Sequence, residues 1–287
     1  MKLGYYPGCS LHGNAQQYNM STEAVFKALG MELAELPEWN CCGATPGHST
    51  DTFLAMALPL RNLVIAEAEQ QKELVLPCAA CYNLVKAADH YFREGSEEAK
   101  DANEELKTIM GSSYSGNVTV THPLEILTKK ETLDQVGSQV KKPLAGLKVV
   151  TYYGCLLTRP AYVSFDDVEQ PQAMDHLLRK AGADVRKWSY KTDCCGGSLT
   201  LPRTEVVVDI TANLVNAAQR AGADAIVSAC PLCQITLDTR QNNVEKKIPI
   251  FYFTELLGIS FGNPDAKQWL KRHIVDPIPL LTSLHLL

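Results

Sequence analysis

"WNCCGATPGHS" at residues 39–49 and "TDCCGGSLTLP" at residues 192–202 each set two adjacent cysteines directly before a glycine. Glycine takes up a positive φ without steric cost, so both stretches read as a tight turn that presents two thiols. The other cysteines, taken outward from these turns, fall into the same pattern. Cys9, Cys41, Cys42, Cys78 and Cys81 spell C-x31-CC-x35-C-x2-C, and Cys155, Cys194, Cys195, Cys230 and Cys233 spell C-x38-CC-x34-C-x2-C. One five-cysteine unit is written twice.

The surroundings of the cysteines repeat as well. "KLGYYPGC" (2–9) corresponds to "LKVVTYYGC" (147–155), an apolar and aromatic run of strand character closed by Gly-Cys. "ELVLPCAAC" (73–81) corresponds to "DAIVSACPLC" (224–233), a short buried strand ending in a Cys-x-x-Cys turn that opens a helix. "VTVTHPLEILT" (118–128) and "IPIFYFTELLG" (248–258) are again strand followed by helix start. Apolar spacing near 3.6 predicts helices over roughly 14–30, 51–71, 80–93, 170–181, 203–221 and 231–241. Strands alternating with helices predict an α/β protein of two pseudo-symmetric cysteine-rich domains, each a small, mostly parallel sheet flanked by helices. The domains are expected at 1–142 and 143–287, with the polar stretch 128–146 as linker and an acidic, helix-prone insertion at 94–112.

At 287 residues, 46% hydrophobic and 21% charged, the chain has the composition of a packed protein and room for two cores. The net charge is −5 and Lys and Arg are scattered, so no basic footprint for nucleic acid or an anionic membrane is visible. No apolar run reaches the ~18 residues of a membrane span, and "MKLGYYPGCS" has no signal core. A cytoplasmic protein with neither membrane insertion nor a nucleic-acid partner is expected. In that reducing compartment ten cysteines point to metal or redox chemistry rather than to disulfide staples. Free cysteine also serves as a small core residue, but matched stations beside Gly and Pro are poorly explained that way.

Loops that follow parallel strands converge at one side of a sheet. Each half can therefore gather its five thiols into one pocket. A tetrahedral zinc uses four ligands and a [4Fe-4S] cube uses four thiolates, so five thiols exceed the needs of either. Adjacent cysteines suit neighbouring irons, or a bridge between irons, in a larger and less regular cluster. The glycine after the pair lets backbone N–H groups approach cluster sulfurs.

With "CCG" at Cys41–Gly43, "CCGG" at Cys194–Gly197 and the openings "YYPGCS" and "YYGCLLTRP", the chain resembles the B subunit of heterodisulfide reductase, a pair of CCG domains. The resemblance spans essentially the whole chain and includes all ten cysteines. Related CCG pairs occur in glycolate oxidase iron-sulfur subunits, in some succinate and thiol:fumarate reductases and in sulfur-oxidising complexes. The resemblance implies two noncubane [4Fe-4S] clusters, one on Cys9, Cys41, Cys42, Cys78 and Cys81 and one on Cys155, Cys194, Cys195, Cys230 and Cys233. It further implies two-electron cleavage of a disulfide, such as that of coenzyme M and coenzyme B, lying between the clusters. Electrons would come from an iron-sulfur protein like the C subunit of heterodisulfide reductase, itself fed by a flavin-containing protein like the A subunit.

His48, Arg159, Lys191 and Arg203 lie close to the cysteines and are candidate contacts for an anionic group of the disulfide. The competing role for each is a surface cation or helix cap. His12 and His122 are candidate proton donors, His122 being the more structural because Pro123 follows it in a turn. Trp39 and Trp188 flank the cysteine pairs and are placed to wall off water. The apolar tail "DPIPLLTSLHLL" (276–287) either packs on its own domain or docks a partner. Three other classes stay open: an electron relay without a substrate of its own, a zinc module, and a metal-free thiol-disulfide exchanger.

Overall fold

A computed structural model describes residues 1–44 and 46–287, with the backbone alone for Pro46 and His48. In the first half the order is β1 (Lys2–Tyr5), α1 (Gly8–His12), α2 (Gln16–Ala28), β2 (Glu32–Glu35), α3 (Pro46–Thr50), α4 (Thr52–Ala68), β3 (Glu73–Val75), α5 (Ala79–Arg93), α6 (Glu97–Met110), β4 (Thr119–Thr121), α7 (Pro123–Thr128) and α8 (Lys130–Gln139). The second half continues with β5 (Lys148–Tyr152), α9 (Ala173–Lys180), β6 (Asp184–Val185), α10 (Thr204–Arg220), β7 (Ala225–Ser228), α11 (Pro231–Thr239), β8 (Ile250–Tyr252), α12 (Phe253–Ser260), α13 (Ala266–Leu270) and α14 (Ile278–Ser283). Short 3-10 turns at Gly197–Leu199 and Gln241–Asn243 complete it.

The strands form two four-stranded sheets, β2-β1-β3-β4 and β6-β5-β7-β8, and every pairing is parallel. The strands β1, β3, β5, β7 and β8 are short apolar runs buried on both faces, as a parallel sheet covered by helices requires. In each sheet the chain leaves the first strand to one side and returns on the other, so strand order reverses between β1 and β3 and between β5 and β7. Crevices at the carboxyl ends of such strands are where open α/β sheets bind ligands. Cys9 and Cys78 flank the first of these crevices and Cys155 and Cys230 the second.

The halves meet through equivalent elements. The helix after β1 (α2) packs on the one after β8 (α12), and the helix after β4 (α7) packs on the one after β5 (α9), the exchange expected of a pseudo-twofold axis. Tyr18 stacks on Tyr252 across this seam with ring centroids 4.2 Å apart, and the Ser21 and Thr254 hydroxyls hydrogen bond at 2.7 Å.

Two stretches differ from the sequence reading. The polar segment 128–146 is not a bare linker: α8 occupies most of it, burying Val136 and setting Asp134 3.0 Å from Lys180 of α9. The edge strands β2 and β6 are "ELAE" and "DV", too short and too polar to announce themselves by alternation. The acidic insertion forms α6, capped by the Ser96 side chain, which accepts from the Ala99 N–H, and ended by Gly111. The apolar tail packs on its own half, with Leu281 and Leu286 buried.

Candidate metal centre

All ten cysteines are free thiols, and in each half they lie in the segments that follow the carboxyl ends of the strands. In the first half the Sγ atoms of Cys42 and Cys81 lie 3.2 Å apart. Cys42 also accepts from Cys41, the largest of the influences that bring its thiol down to about 4. The Cys81 thiol is pushed up, chiefly by its hydrogen bond with Cys42 and then by Cys78. In the second half the Cys233 thiol is pushed up, chiefly by Cys195 and then by Cys230, and the Cys194 thiol falls to about 6, chiefly through Cys155. Across the seam Cys78 and Cys230 influence each other's thiols: Cys78 is pushed up, chiefly by Cys230, and Cys230 is brought down, chiefly by Cys233 and then by Cys78.

The turns behave as their glycines require. Gly43 and Gly196 sit at φ 83° and 75°, and their N–H groups donate to the Sγ atoms of Cys41 and Cys194 at 3.5 and 3.4 Å. Gly8 and Gly154, also at positive φ, bring the backbone so close that a Cβ would stand 3.1 Å from the Cys81 Sγ and 2.9 Å from the Cys233 Sγ. Tyrosines missed by the sequence reading hold both cysteine pairs. The Tyr6 hydroxyl donates to the Asn40 carbonyl at 2.7 Å and the Tyr152 hydroxyl to the Asp193 carbonyl at 2.5 Å, in each half the residue just before the pair. The signal was present in the repeated Tyr-Tyr ahead of Gly-Cys.

His122, at the N-terminus of α7, is fully buried. Its Nδ1 accepts from the Leu124 N–H, so Nε2 carries the proton and donates to the carbonyls of Pro77, at 3.0 Å, and Ala229, at 3.1 Å. These are the residues before Cys78 and Cys230. Burial, the largest influence, holds the ring down to about 4 and therefore neutral. Its role is to clamp the two Cys-x-x-Cys turns together.

A cavity of about 360 Å³ opens on this arrangement. Cys155, Cys194, Cys195, Cys230 and Cys233 line it from the second half, and Ala44, Ala79, Ala80, Asn83 and Leu84 face them from the first. Among the described residues no group of three or more His, Cys, Asp or Glu side chains surrounds a point that would hold a single metal ion. The paired cysteines, with glycine N–H groups donating to the Cys41 and Cys194 sulfurs, fit a polynuclear sulfur-ligated group.

The cysteine-rich domain model, CCG, matches residues 3–86 and 149–238, one match in each half. The chain belongs to the cysteine-rich CCG family. This CCG chain is 29% identical to the 8-methylmenaquinol:fumarate reductase membrane anchor subunit of Wolinella succinogenes, over 97% of its own length and 99% of that protein. It is 27% identical to the B subunit of the ferredoxin:CoB-CoM heterodisulfide reductase of Methanosarcina mazei, over 99% and 97% of the two chains. With a protein of Archaeoglobus profundus described as like the heterodisulfide reductase B subunit, the identity is 29%, over 91% of each. Similarity thus runs over nearly the whole chain to the B subunits of heterodisulfide reductase-type oxidoreductases and to related CCG proteins. The crystal structure of a hypothetical protein from Helicobacter pylori shares the fold, with a TM-score of 0.76 and 14% identity over 95% of this chain and 51% of that one; the chain spans about half of that structure. No helix among the described residues of the CCG chain is long and apolar enough to cross a membrane.

The candidate cations are placed away from the CCG cavity. Arg159 pairs with Glu169 at 3.1 Å on the surface, and Arg203 pairs with Glu205 at 2.6 Å, also exposed. Lys191 is buried with its Nζ 2.8 Å from Asp175 and 2.6 Å from the Pro171 carbonyl, the role of a core strut. The His48 side chain lies outside the described residues. His12 faces Trp39 and Glu35 on the surface rather than the thiols. Trp39 and Trp188 pack against the anchoring tyrosines Tyr6 and Tyr152.

Proposed function

We propose that each five-cysteine nest holds a noncubane [4Fe-4S] cluster and that the chain is the disulfide-cleaving subunit of a heterodisulfide reductase-type complex. Cys9, Cys41, Cys42, Cys78 and Cys81 would hold one cluster, and Cys155, Cys194, Cys195, Cys230 and Cys233 the other. The bridge of His122 between the carbonyls of Pro77 and Ala229 supports the reading, because it holds the residues just before Cys78 and Cys230 next to each other. Such clusters, when bound, pass electrons one at a time, and a pair of them matches the two-electron reaction RSSR′ + 2e⁻ + 2H⁺ → RSH + R′SH.

The protein's own groups then hold and shield the site. N–H groups of Gly43 and Gly196 donate to thiolate sulfur, Tyr6 and Tyr152 pin the turns, and His122 fixes the spacing between the halves. The cavity walls, mostly apolar, keep water from competing at the sulfurs. An iron-sulfur partner of the C-subunit type and a flavin protein of the A-subunit type would deliver the electrons, as the lettered subunit names of the Methanosarcina and Archaeoglobus relatives suggest. The substrate is a thiol-derived disulfide, of which CoB-CoM, in the name of the Methanosarcina mazei relative, is an example.

Anaerobic iron and sulfide determination with EPR tests this, with about eight irons and two coupled signals expected. It is paired with oxidation of a reduced viologen by added disulfide. Iron in one nest alone, or in neither, overturns the reading.

A second reading, electron relay or sulfur oxidation within a related CCG-containing complex, is favoured by the alignment with the fumarate reductase subunit of Wolinella succinogenes. A two-cluster protein that accepts electrons from viologen yet leaves every disulfide intact would select it.

A further inference from the structure

A second cavity, of about 450 Å³, adjoins the cysteine cavity, and Asn83 and Leu84 line both. Helices α4 and α5 form its floor, and the loop carrying Tyr162 forms its far wall. Asn83 secures the junction: its Nδ2 donates to the carbonyls of Leu156, at 2.8 Å, and Arg159, at 2.7 Å, which ties α5 of the first half to the loop after Cys155. His90 stacks on Tyr162 with centroids 4.0 Å apart and braces that wall.

The lining of this groove is apolar and aromatic: Ala55, Met56, Leu84, Ala87, Tyr91 and Tyr162. Among the described residues no Lys, Arg or His lines it or the cysteine cavity, and its one ionisable carboxylate, Glu98, repels an anion. The cations nearest in sequence are held elsewhere, Arg159 on Glu169 and Lys191 on Asp175. A sulfonate, phosphate or carboxylate placed here would lose its water and gain no partner. Combined, the two spaces have the size and character of a site that engulfs an apolar ligand and orients it by a few polar groups.

We propose that the disulfide taken by this chain carries an uncharged, apolar arm, which lies along the groove between α4, α5 and Tyr162 while its S–S bond reaches the cysteines past Asn83 and Leu84. The proposal rests on the disulfide-cleaving reading above and specifies its substrate class. Continuity through shared walls favours a substrate arm over a partner protein as the occupant.

The test uses the oxygen-protected holoprotein and two probes that differ at one end. The first is the mixed disulfide of hexanethiol and 2-hydroxyethanethiol, and the second bears a terminal carboxylate on the hexyl arm. Each is matched by a non-reducible thioether whose binding is read by calorimetry, independently of turnover. The neutral thioether is expected to bind at least about tenfold more tightly than the carboxylate, with the same order in KM. Met56→Lys, on a half-exposed helical face, is expected to narrow or invert that preference, read as the ratio of the two thioether affinities.

Equal or tighter binding of the carboxylate by the unaltered protein would sink the proposal, as would a Met56→Lys variant with unchanged preference. Absence of binding by either thioether overturns it too and leaves the groove to a protein face. Tight binding of the neutral thioether without cleavage of its disulfide sustains the groove and overturns the disulfide-cleaving reading instead, so the two failures are distinct.

Discussion

The Nε2–H of His122, in the first half, donates to the carbonyl oxygen of Ala229, in the second, at 3.1 Å, while sharing the same proton with Pro77 at 3.0 Å. One buried imidazole therefore sets the separation of the backbones that carry Cys78 and Cys230. Replacing it by alanine opens a cavity and removes a donor from two buried carbonyls, with an expected loss of about 2–4 kcal/mol of stability. His122→Gln keeps a donor and should lose less. Urea unfolding of the variants checks both, and wild-type stability of His122→Ala would contradict the clamp.

The same residue gives stability a pH dependence of known sign. Its pKa falls from the ordinary 6.5 to about 4 in the folded chain, mainly through burial. Above 6.5 both states are neutral; below it the unfolded chain binds the proton first, so stability is lost as pH falls from 6.5 towards 4, by up to about 3 kcal/mol. His273 acts in the opposite sense: burial, the largest single influence, lowers its pKa, but the Glu255 charge and hydrogen bond, with the charges of Asp238 and Asp276, together outweigh it and raise it. Subtracting the His122→Gln profile from the wild-type profile isolates the His122 contribution, and a flat difference curve across that window would disprove it.

Lys191 separates a core role from substrate binding. Lys191→Met leaves Asp175 buried without its ammonium partner, 2.8 Å away in the native chain, and should cost about 3–5 kcal/mol. KM for any disulfide should stay unchanged in the protein that folds. A selective rise in KM without loss of stability would return Lys191 to the site.

Gly8 and Gly154 limit how near the backbone comes to the thiols. Gly8→Ala and Gly154→Ala each force a Cβ against a cysteine sulfur in a left-handed conformation. Each variant should lose iron from its own nest, reducing anaerobically reconstituted iron to about half. Full iron content in both variants would show that the close approach does not matter.

Cys42→Ser and Cys195→Ser test the division of the thiols between nests. Either alone is expected to leave one cluster signal in EPR, and the double variant none. Complete loss from a single substitution would mean that one shared centre spans the seam.

The cysteine spacing, read with the strands that precede it, determined a duplicated α/β chain. That is a consequence of local periodicity, which survives in the linear order of residues. The six helices expected from apolar spacing are all present, since that spacing reports which face is buried, whereas α8 in the expected linker was not read. What the linear order did not carry was how the two halves meet. That His122 spans Pro77 and Ala229, that Tyr18 stacks on Tyr252, and that Lys191 is buried against Asp175 depends on packing between residues far apart in sequence. Side-chain direction at such a seam is selected by burial and hydrogen-bond satisfaction across the interface, quantities that exist only once both halves have folded against each other.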